Sequence, residues 1–186
     1  RGLHAQTIPK ALAHLDRASA LEPTAWDPRY AAARLEITLA FDRERAGDFG
    51  GAARRADGAL ARVGAIVDSR PRSAAAWGRL GSIRAARAEL SGLETTSESE
   101  IAAARAAWME AAELDPHSLP PALALWRLAQ ADDSPDEAER WGARALELDH
   151  LMRLDPLKGL TDAERAAIEA GLGIGPPPAA NRSEGP

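Results

Sequence analysis

The chain offers few side chains in the arrangements that catalysis or metal binding requires. Its four histidines stand at positions 4, 14, 117 and 150, and none lies three or four residues from another, which is the spacing of a helical zinc site. Cysteine is absent, so the sequence excludes disulfides, thiolate nucleophiles and Cys-ligated metals. We interpret His150 as a packing residue at the end of a helix. The pattern predicts neither a metal nor a cofactor.

Two further patterns resemble functional motifs but are better explained as helix ends. The adjacent acids Asp132 and Asp133, and those of the stretch 98–100, would suit acid–base chemistry, yet they fall at expected capping positions, where helix dipoles favour negative charge. The glycine-rich stretch 171–175 follows a predicted helix rather than a strand, so we interpret it as a helix stop and not a phosphate loop. No Gly-x-Ser-x-Gly, His-Glu-x-x-His or Walker sequence occurs. The sequence therefore predicts a protein that is not an enzyme.

The elements that position these residues are predicted from composition to be helices alone. The chain contains 43 Ala and 21 Arg but only two Val, seven Ile and eight aromatic residues. Alanine, leucine, arginine and glutamate are strong helix formers, whereas the residues that favour strands are scarce. The fold class predicted is all-α.

Charge and hydropathy restrict the class of partner. The formal charge is −5 with both signs interleaved along the chain, which predicts no general affinity for nucleic acid. No apolar run approaches the roughly 18 to 20 residues that span a bilayer, so no direct membrane insertion is predicted. The compartment stays open, with an exported, extracellular or periplasmic location favoured over the cytoplasm.

Helix start and stop signals divide the chain into eight segments. Three reciprocal capping boxes are legible, at Ser97 to Glu100, Ser134 to Glu137 and Thr161 to Glu164. Prolines at 23, 71 and 116 mark stops, because proline disfavours helical geometry in the preceding residue. A helical domain is thus predicted over 1–172, followed by a flexible Gly- and Pro-rich tail over 173–186. The predicted helices span 8–22, 27–46, 50–68, 73–93, 98–115, 119–131, 135–154 and 162–172.

A repeated ladder of apolar residues is the strongest signal in the sequence. Residues 12, 8 and 5 positions before each of the three prolines form one face of a helix, and a fourth copy ends at His150. The residues that we predict to pack between repeats are Ala11, Leu15 and Ala18; Ala59, Val63 and Ile66; Trp77, Leu80 and Gly81; Ala104, Trp108 and Ala111; and Trp141 and Ala145.

This pattern resembles the tetratricopeptide repeat (TPR) family, in which Trp-x-x-Leu-Gly-x-x-Tyr on one helix precedes Ala, an aromatic residue, Ala and Pro on the next. One nearly complete repeat starts at Trp77 and ends at Pro116, although Arg84 replaces the family's Tyr and the proline-to-proline separations are 48 and 45 rather than 34 residues. The resemblance implies a right-handed α-solenoid of antiparallel helix hairpins. It also implies an inter-helix turn at 47–50 and a cap helix at 162–172.

In such an array each hairpin hides only part of its apolar stripe, and its neighbour covers the rest. The helix 8–22 carries the residues of a second helix without a first helix before it. We therefore expect either further chain upstream, with which the initial Arg agrees, or a partner that supplies the missing surface.

The first helices of a TPR-like array line its concave surface, which gives candidate binding residues. Trp26 is a candidate because it lies in a connection flanked by prolines, where we expect partial exposure. The other four candidates are chosen by their positions on first helices. The predicted partner-binding groove contains Trp26, Tyr30, Arg34, Arg127 and Gln130. The Lys and Asn set with which some family members grip carboxylates is absent.

Several functions remain open at this point. The first is a non-enzymatic interaction or self-assembly module that stacks head to tail into a filament. The alternatives are a monomeric peptide-binding adaptor, or the soluble C-terminal part of a larger bacterial membrane protein such as a polysaccharide ligase or polymerase. Asn181 begins an Asn-x-Ser acceptor for glycosylation, which matters only in an exported chain. The hydroxyl-rich stretch 94–99 is interpreted as a polar turn rather than a modification site.

Overall fold

The computed structural model describes residues 2–22, 24–91, 93, 97–152 and 159–174, and side chains from Thr7 onward. Over these ranges the chain is all-helical, with eight helices and no strand. The chain divides into two compact units, residues 1–116 and residues 117–186. The predicted tail from Gly175 onward, with Asn181, lies outside the described residues, as does 94–96 of the hydroxyl-rich turn. The helices are α1 (Gly2–Leu21), α2 (Asp27–Arg45), α3 (Phe49–Ser69), α4 (Ala74–Ala88), α5 (Ser97–Leu114), α6 (Leu119–Ala131), α7 (Pro135–Leu151) and α8 (Asp162–Gly171).

The helix ends agree closely with the start and stop signals read from the sequence, with three exceptions. Helix α1 begins at Gly2 rather than at residue 8 and contains Pro9 in its interior. Helix α4 ends at Ala88 rather than at 93, because Ser91 leaves the helix and donates its N–H and its hydroxyl to Glu44 Oε1, each at 2.6 Å. Helix α7 ends at Leu151 rather than at 154.

The three predicted capping boxes have three different outcomes. The box at Thr161 is confirmed, with both reciprocal hydrogen bonds to Glu164. Ser134 is the N-cap of α7, but its side chain makes no capping hydrogen bond. The box at Ser97 is wrong: Ser97 is already helical and its hydroxyl donates to Ala88 O at 2.9 Å, while Glu100 turns to arginines of α4. Buried ion pairing outweighs capping at that helix start.

Replacing Thr161 with alanine is expected to lower the free energy of unfolding by about 1 kcal/mol, because the Glu164 N–H loses the hydroxyl that accepts its hydrogen bond. Ser134→Ala is the matched control, and its effect should stay near zero since Ser134 makes no capping bond. Thermal unfolding followed by circular dichroism measures both variants. Equal losses in the two would contradict the capping assignment.

Residues with positive φ end three of the helices. Gly47 after α2 and Gly173 after α8 have φ of 79° and 67°, and Asp133 after α6 has φ of 51°. In each case the N–H of the next residue donates a hydrogen bond to the carbonyl oxygen five residues before it, as Ile174 N does to Glu169 O at 2.9 Å. The predicted helix stop at Gly173 and the turn at 47–50 are thus confirmed. Asp132 and Asp133 lie at the carboxyl end of α6, so a favourable helix dipole does not explain them, contrary to our expectation.

In the N-terminal unit, α2 pairs with α3 and α4 pairs with α5, while α1 packs on α2 as an unpaired helix. The core is built mainly of small and branched side chains, including Ala33, Ala56, Ala59, Val63 and Ile66. In α1 Leu12 is buried. The predicted face of α1, formed by Ala11, Leu15 and Ala18, is only half-buried.

In the C-terminal unit, α6 pairs with α7, and α8 packs on α7. Its core includes Leu119, Trp126, Ala145, Leu148 and Ile168. Asp149 ties α8 to α7, because its carboxylate accepts from Leu160 N at 2.7 Å and from Arg165 Nε at 3.0 Å. The connection between the two helices is thereby fixed at its far end.

Each unit contains a hairpin in which tryptophan packs against glycine, but the roles of the helices are exchanged. In the α4–α5 hairpin Trp108 lies against Gly81, where a Cβ would stand 2.5 Å from the indole nitrogen. In the α6–α7 hairpin Trp126 of the first helix lies against Gly142 of the second. Because Trp126 takes this place, Trp141 is half-buried on the edge of its core. Our alignment of Trp141 with Trp108 was one residue out, since Gly142 lies eight residues before His150, as Trp108 does before Pro116.

The other predicted packing residues divide by burial. Leu80, Ala104 and Ala111 are buried, as is Ala145, whereas Trp77 is half-buried with its indole N–H donating to Pro71 O at 2.8 Å.

Across the described residues no helix combines the length and apolarity that crossing a membrane would take.

Candidate protein-interaction surface

The start of α2 places two aromatic side chains side by side at the edge of the N-terminal unit. Trp26 is the N-cap, and its carbonyl accepts the Tyr30 N–H at 3.0 Å, with Pro28 setting the first turn. Arg70 donates to Thr24 O at 2.8 Å, which ties this segment to the end of α3. Both aromatic rings are half-buried against the core. The local sequence therefore fixes two flat surfaces that remain partly open to solvent.

Arg79 of α4 lies between these two rings. Its guanidinium carbon is 3.3 Å from the centroid of the Trp26 ring and 4.5 Å from that of Tyr30. Asp27 Oδ1 is 3.4 Å from Arg79 Nη2. Burial away from water lowers the pKa of Arg79, while the charge of Asp27 acts in the opposite direction. The stack holds a cation in a fixed orientation beside the exposed face of α2.

Arg34 lies one helical turn after Tyr30 on the same helix, so the two side chains share a face. It is exposed, and among the described residues its guanidinium has neither an acidic partner nor a hydrogen bond. Its carbonyl accepts from the Thr38 hydroxyl at 3.1 Å, an interaction within the helix. Three of the predicted groove residues, Trp26, Tyr30 and Arg34, thus come from one short stretch of α2.

The other two predicted groove residues belong to the C-terminal unit. Arg127 of α6 is exposed and forms an ion pair with Glu164, the capping residue of α8. The backbone N–H of Thr161, its hydroxyl and the charge of Arg127 lower the pKa of Glu164. Gln130 is exposed beside Gly171 of α8. Whether the five residues serve one groove stays a prediction.

Arg79 is the residue of this surface that sequence reasoning missed. The sequence did contain a signal for its position, since Arg79 lies inside the best TPR-like match, two residues after Trp77. Its neighbours in space are distant in the sequence, and Asp27 lies 52 positions earlier. Only the packing of α4 beside α2 brings them together.

Two buried ionic networks in the same unit were also missed. Glu100 is 3% exposed and contacts Arg87 Nη2 at 3.4 Å and Arg84 Nη1 at 3.3 Å, and Arg87 also reaches Asp57 at 2.6 Å. This network joins α3, α4 and α5.

The second network joins α1, α2 and α3. Glu36 is 6% exposed, with Arg62 Nε at 3.3 Å and Arg55 Nη1 at 3.9 Å, and Arg62 also contacts Asp16 at 2.7 Å. Gly58 permits the approach, because a Cβ there would stand 2.8 Å from Glu36 Oε2. Each buried carboxylate thus has arginine partners, as buried charges in proteins generally require. In the part of the chain that the structure describes, no group of three or more His, Asp or Glu is arranged to hold a metal ion.

Comparison with known proteins identifies the class of fold. A thermophilic TPR protein of Thermus thermophilus has a crystal structure that matches this chain with a TM-score of 0.62 at 18% sequence identity, over 90% of this chain and 75% of that one. No protein-family model matches the sequence, and no curated protein matches it. The structural likeness shows the fold alone, a TPR-like helical repeat of the α-solenoid class, as the sequence predicted.

Proposed function

We propose that the chain is a non-enzymatic adaptor that binds an acidic segment of a partner protein on the exposed face of α2 and α4. The surface, which we call the α2 face, consists of Trp26, Asp27, Tyr30, Arg34 and Arg79. The single observation that carries the proposal is the exposed Arg34, which has no acidic partner among the described residues, beside a pre-oriented aromatic–arginine stack.

The C-terminal unit contains an internal example of the proposed chemistry. Arg34 and Arg127 each lie eleven residues after the proline that marks the end of the preceding helix, at 23 and 116, so they hold equivalent places on first helices. Arg127 is paired with a carboxylate of the chain itself, that of Glu164. Arg34 lacks such a carboxylate among the described residues, and a partner would supply it.

The aromatic stack adds a reason for affinity beyond charge. Tyrosine and tryptophan give large rigid contact areas at low entropic cost, and arginine among them is typical of residues that dominate binding energy. Because Arg79 is already held between the rings, a bound segment does not have to order it. Asp27 limits the net positive charge and favours a segment that also offers an amide or hydroxyl donor.

Arg34→Glu is expected to weaken binding of a glutamate-rich peptide by about tenfold or more, since a charge-assisted hydrogen bond contributes about 1.5–3 kcal/mol. Fluorescence anisotropy with a fluorescein-labelled peptide measures this, with a twin peptide in which glutamine replaces every glutamate. The wild-type chain should prefer the glutamate peptide.

Arg17→Glu is the matched control, an exposed arginine of α1 in the same unit. It makes the same change in net charge, so it separates a local contact from general attraction. Equal weakening by Arg17→Glu and Arg34→Glu, or no preference between the two peptides, would refute the α2 face as the binding surface.

Head-to-tail association of copies is the second candidate, and one observation favours it. Leu21, at the end of the unpaired helix α1, is 74% exposed, and the inner face of α1 is only half-buried. A contact of this kind that does not close generates a filament. Light scattering should then give a mass that rises with concentration for the wild-type chain and a monomer mass for Leu21→Glu. A monomer mass for the wild-type chain at all concentrations would remove this candidate.

A further inference from the structure

The α2 face carries opposite charges at its two ends. Asp27 lies in the first turn of α2, and Arg34 lies seven residues later. Seven residues make almost two turns of an α-helix, so the two side chains lie nearly in line, about 10.5 Å apart along the helix axis. Tyr30 lies between them, with its ring beside Arg79. The face thus has a negative end at the start of α2 and a positive end two turns later.

The carboxylate at the negative end is only partly used inside the chain. The Asp27 side chain is 77% exposed, and its one partner among the described residues is Arg79, with Nη2 at 3.4 Å from Oδ1. A carboxylate offers about four acceptor positions, and this long contact occupies at most one of them. Most of the acceptor capacity of Asp27 therefore faces solvent.

Helix capping does not account for this acid either. At the start of α3, Asp48 accepts from Gly51 N at 2.8 Å and pairs with Arg43 at 3.0 Å, so its charge is used within the chain. At the start of α2 the N-cap is Trp26, and no side-chain capping hydrogen bond is present. Beyond the helix dipole and the contact with Arg79, the described residues make no use of the charge of Asp27.

Given an acidic segment bound at the α2 face, on which this step depends, we infer that the segment also carries a basic residue three positions from its acid. The acid pairs with Arg34 and the base pairs with Asp27. In a polyproline II conformation, residues three apart lie on the same side, about 9.3 Å apart along the segment, which is close to the spacing of the two charges on α2. In a β-strand such residues would point to opposite faces.

The aromatic side chains between the two charges agree with an extended segment. The rings of Trp26 and Tyr30 are half-buried against the core, so each keeps an edge or face open to solvent. Proline-rich segments in the polyproline II conformation dock on aromatic side chains, and their preformed shape lowers the entropic cost of binding. The partner that fits is thus a proline-rich segment with one acid and one base at the stated spacing.

The test is fluorescence anisotropy with fluorescein-labelled peptides that share one proline-rich frame. The parent peptide carries a lysine and a glutamate three residues apart; both orders are made, and the tighter one is used. Glutamine in place of the lysine should weaken binding to the wild-type chain about threefold to fivefold, the upper range of an exposed ion pair. A peptide of the same composition with lysine next to glutamate should bind like the lysine-free peptide.

A substitution at Asp27 shows whether this residue reads the lysine. Asp27→Asn keeps the shape of the side chain and removes its charge, so it should bind the lysine and glutamine peptides equally. A merely structural role of Asp27 would weaken both peptides by the same factor and leave their ratio unchanged. Asp68→Asn, at an exposed acid of α3 in the same unit, makes the same change in net charge and should keep the wild-type ratio.

Three results would overturn the basic residue at Asp27: equal binding of the lysine and glutamine peptides by the wild-type chain, equal binding of the two lysine spacings, or a wild-type ratio in Asp27→Asn. Each of them leaves glutamate-dependent binding at Arg34 intact, so the proposed function would stand. If glutamine in place of the glutamate changes nothing, the proposed function fails and the basic residue fails with it.

Discussion

Replacing Glu100 with alanine is expected to destabilise the N-terminal unit by about 3–5 kcal/mol, one of the two largest effects that the structure predicts. The carboxylate is 3% exposed and faces Arg87, itself 4% exposed, and Arg84. Its loss leaves the buried guanidinium of Arg87 with Asp57 as its one acidic partner among the described residues, and the Asp57 side chain is 68% exposed. Arg87 Nε already lacks a hydrogen bond. Urea unfolding of the purified variant measures the loss.

Two further variants separate the ion pair from simple loss of packing. Glu98→Ala, in the same helical turn but exposed, should cost no more than about 1 kcal/mol through the helix dipole. Glu100→Leu combined with Arg87→Met should recover much of the loss, because an apolar pair can replace a buried ion pair. A loss below about 1 kcal/mol in Glu100→Ala would show that the network contributes little to the folded state.

The second large effect is expected at Gly81, where alanine should lower the free energy of unfolding by about 2 kcal/mol. A Cβ at this position would stand 2.5 Å from Trp108 Nε1 and 2.6 Å from Cδ1. The ring cannot simply retreat, because its N–H donates to Gly78 O at 3.2 Å in the same hairpin. The α4–α5 pair must therefore separate or the tryptophan must leave its place.

Gly64 is the matched control for this substitution. It also lies inside a helix, α3, but a Cβ there would meet no atom within 4 Å. Gly64→Ala should thus stabilise the chain by about 0.5–1 kcal/mol through helix propensity alone. Opposite signs for the two glycines are the expected result of urea unfolding. A stabilising Gly81→Ala would contradict the close Trp108 contact.

Local chemistry made the helices predictable from the sequence. Helix α6 has the predicted bounds, 119–131, because Pro120 and Pro121 set its start and Asp132 and Asp133 break it. The reciprocal cap at Thr161 was equally local. Such signals depend on neighbours within a few residues, so one sequence suffices to read them.

Contacts between helices were less predictable. The apolar ladder correctly placed Val63 and Trp108 inside the core, but our alignment missed that Trp126 and Gly142 exchange the roles of Trp108 and Gly81. The spacing carried this signal, since Trp126 lies ten residues after Pro116, as Gly81 does after Pro71, and Gly142 lies eight residues before His150. Which of the two residues is the tryptophan and which the glycine is decided by the fit between the helices.

The buried charges were the least predictable feature. Glu36 and Glu100 look like ordinary exposed acids in a helix, and their arginines lie on other helices or many residues away. The candidate surface was predictable only in part, because some of its residues come from a different helix. Trp26, Tyr30 and Arg34 share one helix, whereas Arg79 joins them only through tertiary packing.

Chemical-shift mapping of the ¹⁵N-labelled chain with the glutamate-rich peptide tests directly whether the α2 face binds acidic segments. We expect saturable shifts at the Trp26 indole, the Tyr30 and Arg34 amides and the Arg79 side-chain Nε–H. The amides around Arg127 should not shift, because Glu164 already provides the carboxylate there. Shifts confined to the C-terminal unit, or no saturable shift at all, would contradict binding at the α2 face.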